Sequence, residues 1–164
     1  MNQFKTLALL ALLSGLLVTL GYLIIGGTTG ILIGLAMAAV SNFGSWYFSD
    51  KIALSAYKAQ PISRDQAPAI YDIVERLSLL AEIPMPGVYL IPSPAANAFA
   101  TGRDPSHAAV AVTEGIVNML TSEELEGVIA HELSHILNRD TLTQAVAATV
   151  GGAISSLAYM AQYA

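Results

Sequence analysis

Residues 121–138, TSEELEGVIAHELSHILN, carry the local signals of one amphipathic helix. Thr121 followed three positions later by Glu124 predicts a capping box, and acidic residues fill the first turns, where the helix dipole favours them. Apolar side chains recur with helical spacing along one face: Leu125, Val128, Ile129, Leu133, Ile136 and Leu137. We therefore predict a packed helix whose remaining faces carry polar side chains.

Three of those polar side chains form a chemically useful group. His131 and His135 are four residues apart, so they project about 40° apart around a helix and can share one metal ion. Glu132 projects beside them, where its carboxylate can take a proton from water. His-Glu-x-x-His on a helix is the pattern of zinc metallopeptidases, which predicts two histidine ligands of one Zn²⁺ ion and Glu132 as the catalytic base. The alternative is a polar surface pair that binds no metal.

Charge is distributed unevenly along the chain. Only 12% of the 164 residues are charged, and residues 6–49 and 141–164 contain no Asp, Glu, Lys, Arg or His. Residues 50–140 contain all twelve acidic and six of the seven basic residues, so the central segment is the acidic part of a chain whose net charge is −5, which argues against nucleic acid as a partner. Cysteine is absent, which excludes a disulfide framework and a cysteine metal ligand.

The uncharged run of residues 6–49 predicts contact with a lipid bilayer. As a single helix it would measure about 66 Å, roughly twice the hydrocarbon thickness of a bilayer. We therefore predict a transmembrane helical hairpin over residues 1–49, with helices at 6–25 and 31–49 and a turn at the glycine-rich residues 26–30. A secretory signal peptide is the alternative for the first helix, although a second apolar stretch follows at once.

Basic residues predict the orientation of this hairpin. Lys5 precedes the first helix, whereas Lys51, Lys58 and Arg64 follow the second, and the predicted turn carries no charge. Because basic residues are retained on the cytoplasmic side, we expect both ends of the hairpin and the central segment in the cytoplasm.

Residues 50–143 are predicted to form a small α+β domain. After a connector at 50–66, helical spacing of apolar residues predicts a helix from Pro68 to Glu82. Branched apolar runs predict strands at 88–91, 98–100 and 108–112, and residues 101–106 are rich in turn formers. Thr113 is expected to cap a short helix that ends near Leu120. The mostly α membrane protein thus includes a small mixed domain.

Residues 144–164 are again uncharged and rich in small side chains. Their glycines, alanines and serines are typical of closely packed membrane helices, so we predict the start of a third transmembrane helix here. The alternative is a helix in water that packs on the central domain.

Several motifs together resemble those of HtpX-type membrane zinc metallopeptidases. They are residues 97–103 (NAFATGR), 109–113 (AVAVT), 124–128 (ELEGV) and 131–140 (HELSHILNRD), behind an N-terminal hydrophobic hairpin. The resemblance implies a zincin-like, gluzincin-type peptidase domain with one Zn²⁺ ion. It also implies a protein of the bacterial inner membrane with a cytoplasmic active site, which hydrolyses misfolded or damaged membrane proteins in quality control.

The sequence departs from this family pattern at the third zinc ligand. The family supplies it as a glutamate far downstream of the histidines, whereas the carboxylate that follows here is Asp140, which we expect to support a ligand or to cap a helix end. We therefore expect a truncated chain. Two alternatives to an active enzyme stay open: a catalytically incomplete membrane-anchored fragment with an assembly or structural role, and a structural membrane protein whose histidine pair is incidental.

The strand near the predicted metal site suggests how substrate would bind. Asn97, Ala98, Phe99 and Ala100 are candidates for main-chain pairing with an extended substrate, with Val110 to Val112 as another possible strand. The alternative is an ordinary internal strand.

Overall fold

The structure is a computed structural model that describes residues 2–162. The helices are α1 (Asn2–Ile25), α2 (Gly27–Tyr47), α3 (Ser49–Ala56), α4 (Pro68–Leu80), α5 (Glu114–Met119), α6 (Ser122–Leu137) and α7 (Thr141–Gln162). The strands are β1 (Gln60–Pro61), β2 (Gly87–Ile91), β3 (Ala98–Gly102) and β4 (Ala108–Thr113), with a 3₁₀ turn at Pro105–His107. The chain divides into two compact units, Met1–Phe48 with Thr143–Ala164, and Ser49–Leu142.

Helices α1 and α2 form the predicted hairpin, but their junction is shorter than predicted. Gly26 lies between the helices with a φ of +82°, and α2 already begins at Gly27, which has a φ of +58°. Both are conformations that glycine adopts without steric cost. The predicted turn at residues 26–30 was therefore too long, and the predicted helix starts at 6 and 31 were too late, since Thr28, Thr29 and Gly30 continue α2.

Both hairpin helices have the length and surface of membrane spans. Phe4–Ile25 and Gly27–Tyr47 have mean hydropathies of 2.4 and 1.3, and only 6% and 17% of their residues are buried. A core helix of a water-soluble protein would be mostly buried, whereas these helices expose large apolar side chains such as Leu23, Ile24 and Val40. Together they form an apolar hairpin with the length and composition of two membrane spans.

Small residues bring α1 and α2 together. A side chain at Gly34 would lie 2.7 Å from the carbonyl oxygen of Leu17, so this position tolerates only glycine at the observed helix separation. Asn42 of α2 adds a polar link, because its Nδ2 donates a hydrogen bond of 2.9 Å to the hydroxyl of Ser14 in α1. The same Nδ2 also donates a hydrogen bond of 3.4 Å to the carbonyl of Leu10, so close main-chain approach and the side chain of Asn42 both hold the hairpin together.

The second unit is built on a four-stranded sheet with the order β1-β2-β4-β3. Strand β4 is central and pairs parallel with β2 and antiparallel with β3. The predicted connector at residues 50–66 was wrong, because α3 and β1 form there and β1 pairs antiparallel with β2. Strand β3 extends to Gly102, beyond the predicted end at Ala100, and it forms one edge of the sheet.

The sheet buries both of its faces. On one face, helices α4 and α6 pack their apolar sides against Val88, Val110 and Val112. On the other face, Leu54 of α3 packs against Ile91, Ala109 and Ala111. Alternate residues of β4 therefore belong to different clusters, as the two-residue period of a strand requires. The fold class predicted from the sequence, an apolar helical hairpin followed by a small mixed α+β domain, is confirmed.

Helix α7 occupies the segment that we predicted as a third transmembrane helix at 144–164. The helix begins at Thr141, three residues earlier than predicted, and the predicted residues 163 and 164 lie outside the described residues. Among the described helices, the two of the hairpin have the length and hydropathy of a membrane span. The membrane insertion of α7 stays a prediction.

Candidate active site

Helix α6 positions the candidate site and begins with the predicted capping box. The hydroxyl of Thr121 accepts a hydrogen bond from the backbone N–H of Glu124, and the Glu124 carboxylate accepts one from the N–H of Thr121. Leu125, Ile129, Leu133 and Ile136 are buried toward the sheet. Because both its start and its apolar face are fixed, α6 presents its remaining side chains in a defined direction.

The two histidines of α6 converge on one point. Nε2 of His131 and Nε2 of His135 are 3.3 Å apart, and the two rings are nearly perpendicular. Two nitrogens bound to one tetrahedral zinc ion, with bonds of about 2.0–2.1 Å, would be about 3.3 Å apart. The imidazoles therefore fit a shared tetrahedral metal ion such as zinc, through their Nε2 atoms.

The end of α6 turns Asp140 back toward the second histidine. Arg139 has a φ of +53°, and the N–H groups of Arg139 and Asp140 donate to the carbonyls of Ile136 and His135, which is a Schellman motif with arginine in the left-handed position. Both carboxylate oxygens of Asp140 lie 3.1 Å from Nδ1 of His135. A carboxylate on Nδ1 favours the tautomer whose Nε2 is free to bind a metal.

Glu132 lies against the edge strand β3. Its Oε2 accepts a hydrogen bond of 3.0 Å from the backbone N–H of Ala100. A carboxylate has two oxygens, so the oxygen that is not held by Ala100 can accept a proton from water. The contact places the acid/base candidate between the histidine pair of α6 and the edge of the sheet.

The alternation of β3 determines which of its main-chain groups face outward. Thr113 of β4 donates its N–H to the carbonyl of Asn97, and the Asn97 N–H donates to the Thr113 hydroxyl, so Asn97 is directed toward β4. Antiparallel pairing alternates, and Ala98 and Ala100 therefore face away from β4. Of the four candidates for substrate pairing, Ala98 and Ala100 direct their main-chain groups away from β4, toward the unpaired edge of the sheet, whereas Asn97 and Phe99 direct theirs to β4.

Carboxylates near the site differ in their surroundings. Glu126 lies one turn before the histidine motif, and a hydrogen bond of 2.6 Å from the guanidinium of Arg76 lowers the pKa of Glu126. This contact connects α6 with α4.

Within residues 2–162, no group of three or more His, Cys, Asp or Glu side chains is arranged to hold a metal ion. Among the described residues, His131 and His135 are thus a pair of candidate metal ligands.

One contact at the site was missed by the sequence reasoning. The hydrogen bond from Ala100 joins residues that are 32 positions apart, and Ala100 contributes only its backbone N–H. No pattern of side chains could have identified it. The only available signal was the expectation that residues 97–100 form a strand close to the metal site.

Two converging histidines and a carboxylate on one helix, beside the edge strand of a mixed sheet, are the arrangement that is typical of metallopeptidases of the His-Glu-x-x-His class. Residues 64–164 match the family model described as Peptidase family M48. The chain belongs to this family, as its sequence motifs predicted.

Curated relatives extend the match to the hairpin. The chain is 68% identical over 162 residues to a protein of Trichormus variabilis named "Protease HtpX homolog", covering 99% of this chain and 56% of the relative. Proteins of the same name match at 61% in Acaryochloris marina, over 99% of this chain and 56% of the relative, and at 56% in Aquifex aeolicus, over 92% and 50%. The chain spans about half the length of the curated relatives it matches.

Proposed function

We propose that this chain is the catalytic part of a zinc-dependent endopeptidase that is anchored in a membrane. The observation that carries the proposal is the 3.3 Å separation of the two Nε2 atoms, with the adjacent Glu132 hydrogen-bonded to the edge strand β3. His131 and His135 would hold the ion, and Asp140 would orient His135. A bound zinc ion supplies a Lewis acid that polarises the scissile carbonyl and makes water acidic.

In this mechanism Glu132 moves the proton. Its carboxylate accepts a proton from the attacking water and returns it to the leaving amine as the C–N bond breaks. The N–H of Ala100 holds one carboxylate oxygen and so fixes the direction of the other. A glutamine at this position keeps the size and the hydrogen bond but cannot accept the proton.

The outward groups of β3 suggest how the substrate is held. An extended peptide that pairs antiparallel with β3 would find the N–H and C=O of Ala98 and the C=O of Ala100 directed toward it. Main-chain pairing selects extended segments rather than side-chain sequences. This selection is consistent with misfolded or damaged membrane proteins as substrates. The apolar hairpin would hold the peptidase domain at the membrane that contains them.

The test compares zinc binding and hydrolysis in matched variants of the protein extended to the length of its relatives. We expect zinc to bind with submicromolar affinity, His131→Ala to abolish that binding, and Glu132→Gln to bind zinc while losing at least about 10³-fold in kcat for casein. Hydrolysis that survives Glu132→Gln would remove Glu132 from the mechanism. Zinc binding that is unaffected by His131→Ala would remove the site.

The structure also supports a second candidate function for the chain of 164 residues. Because the histidines form a two-residue ligand set within the described residues, this chain by itself is a candidate for a catalytically incomplete, membrane-anchored fragment. A family member is expected to complete the site with a downstream glutamate. Zinc affinity that is weak in this chain and restored by extension supports the fragment, whereas equal affinity in both contradicts it.

We further propose that the peptidase domain faces the cytoplasm of a bacterial inner membrane. The support is the distribution of Lys5, Lys51, Lys58 and Arg64 around an uncharged hairpin turn. Since cysteine is absent, a single cysteine at Lys58 can be tested in intact cells and in lysed cells with an impermeant thiol reagent. We expect this cysteine to be labelled in lysed cells and not in intact cells. Labelling in intact cells would contradict the cytoplasmic orientation.

A further inference from the structure

Two adjacent side chains at the start of α7 bind opposite sides of the active site. Asp140 contacts Nδ1 of His135, as described above. Its neighbour Thr141 donates a hydrogen bond of 2.8 Å from its hydroxyl to the carbonyl of Gly102, the last residue of β3. Because a peptide unit is rigid, this dipeptide connects the metal-binding end of α6 with the end of the edge strand.

The bond from Thr141 lies in the protein interior. Thr141 is 5% exposed, Gly102 is buried, and the two are 39 positions apart in the sequence. Loss of the hydroxyl would leave a buried carbonyl without its donor, which costs more than loss of an exposed hydrogen bond. The interaction is therefore a strong local constraint on the end of β3.

The end of β3 needs such a constraint. Gly102 has a φ of +134°, which favours glycine, and a side chain there would collide with the carbonyl oxygen of His107. Glycine has the greatest conformational freedom of all residues, and the bond from Thr141 adds to the pairing of Gly102 with Ala108 of β4 in holding this end of the strand. Ala100, whose N–H donates a hydrogen bond to Glu132, lies two residues before Gly102 in the same strand.

We propose that Thr141 is a positioning residue that holds β3 at a fixed distance from the histidine pair. The inference rests on the proposed function, in which an extended substrate pairs with β3. Thr141 touches neither the ligands nor the substrate, and acts by keeping the outward groups of Ala98 and Ala100 in register with Glu132. Its loss therefore weakens substrate binding, while the metal ligands and the base keep their arrangement.

The experiment uses the extended protein with Thr141→Val, which keeps the shape and removes the hydroxyl, and Thr141→Ser, which keeps the hydroxyl. For Thr141→Val we expect KM for an extended peptide to rise about tenfold, because β3 must then be ordered when the substrate binds, with kcat and zinc affinity within about twofold of the wild type. Thr141→Ser should retain the wild-type KM. Amide hydrogen exchange in β3 should accelerate in Thr141→Val and not in Thr141→Ser.

Other results overturn the proposal. An unchanged KM in Thr141→Val contradicts it even if exchange accelerates, because loosening of the strand would then have no effect on substrate binding. An equal loss of zinc affinity in both variants would indicate general damage to α6. If Thr141→Val does not fold, Thr141→Ala against Thr141→Ser makes the same comparison. An extended wild-type protein that neither binds zinc nor cleaves peptides contradicts the proposed function, and hydrogen exchange then decides the role of Thr141 alone.

Discussion

Helices α2 and α6 bury different kinds of residue. The buried residues of α2 are Gly30, Gly34, Ala38 and Ser45, all of them small, whereas those of α6 are Leu125, Ile129, Leu133 and Ile136, all of them large. In a bilayer, a large apolar side chain is as stable against lipid as against protein, so it gains little by turning inward. In water the same side chain is stabilised by about 1.5–3 kcal/mol on burial.

The comparison teaches that hydrophobicity alone does not identify the packed side of a helix. In α2 the apolar residues Leu32, Leu35 and Val40 are exposed, and the contact side is recognised by small residues instead. In α6 the apolar residues mark the contact. Substitutions that exchange large and small residues should therefore have opposite effects in the two helices.

The largest effect is expected when a buried side chain of α6 is shortened. Ile129 is fully buried, so Ile129→Ala removes apolar contacts and leaves a cavity, and should lower the free energy of unfolding by about 2–5 kcal/mol. The measurement is denaturant unfolding of the peptidase domain within the whole protein in detergent. Leu79→Ala is the control, since Leu79 is 74% exposed, and should change stability by less than about 0.5 kcal/mol. Equal effects of the two would contradict the core described here.

In the hairpin, the opposite substitution should be disruptive. Gly34→Leu places a side chain against the carbonyl of Leu17, where even a Cβ atom would be 2.7 Å away, so the helices must separate at a cost of about 1–3 kcal/mol. Spin labels on single cysteines at Leu12 and Val40 can measure this, because the chain has no other cysteine. Gly15→Leu is the matched control, because nothing lies within 4 Å of that position. An unchanged distance in Gly34→Leu would contradict the close packing.

Capping should also distinguish the two helices. Thr121→Ala removes the hydroxyl that accepts from Glu124 and should cost about 1 kcal/mol, detected as faster amide exchange in the first turn of α6. Helix α2 begins at Gly27 without a side-chain cap, so Thr28→Ala should have little effect there. If Thr121→Ala leaves exchange unchanged, the capping box does not stabilise α6.

The smallest effect is expected at the surface contact between Arg76 and Glu126. The hydrogen bond from Arg76 lowers the folded-state pKa of Glu126, so the contact stabilises the fold above the ordinary glutamate pKa of 4.5 and is lost as the pH falls through the lowered value. Glu126→Gln should therefore be slightly less stable than the wild type at neutral pH, and the difference should vanish on acidification. Arg76→Gln should give the same profile, and the double variant no further loss. A difference that persists at acid pH would exclude the ion pair as its cause.

The parts predicted correctly depend on short-range patterns. The capping box and apolar face of α6 lie within residues 121–137, and the spacing of His131 and His135 determines their convergence without help from the rest of the fold. The strands β2 and β4 were recognised because each is a short apolar run between turn formers. Local sequence is sufficient where one element determines its own geometry.

The parts that were missed depend on distant residues. Residues 49–56 have a mixed composition. Helix α3 is stabilised by the packing of Leu54 against β2 and β4, on the face of the sheet opposite α4 and α6. Likewise, the contacts of Ala100 with Glu132 and of Thr141 with Gly102 join backbone groups to side chains more than 30 positions away. Such pairs have no periodicity in the sequence. The hairpin junction was missed because glycine permits many turns, and only the packing of α1 against α2 selects one.

The order of the two units along the chain has a consequence for biosynthesis. Residues of the first unit lie on both sides of Ser49–Leu142, so α1 and α2 are translated well before the segment that begins at Thr143. At about 5–20 residues per second, translation of the intervening roughly 90 residues takes about 5–20 s. Helices α1 and α2 are therefore made several seconds before the rest of the unit to which they belong.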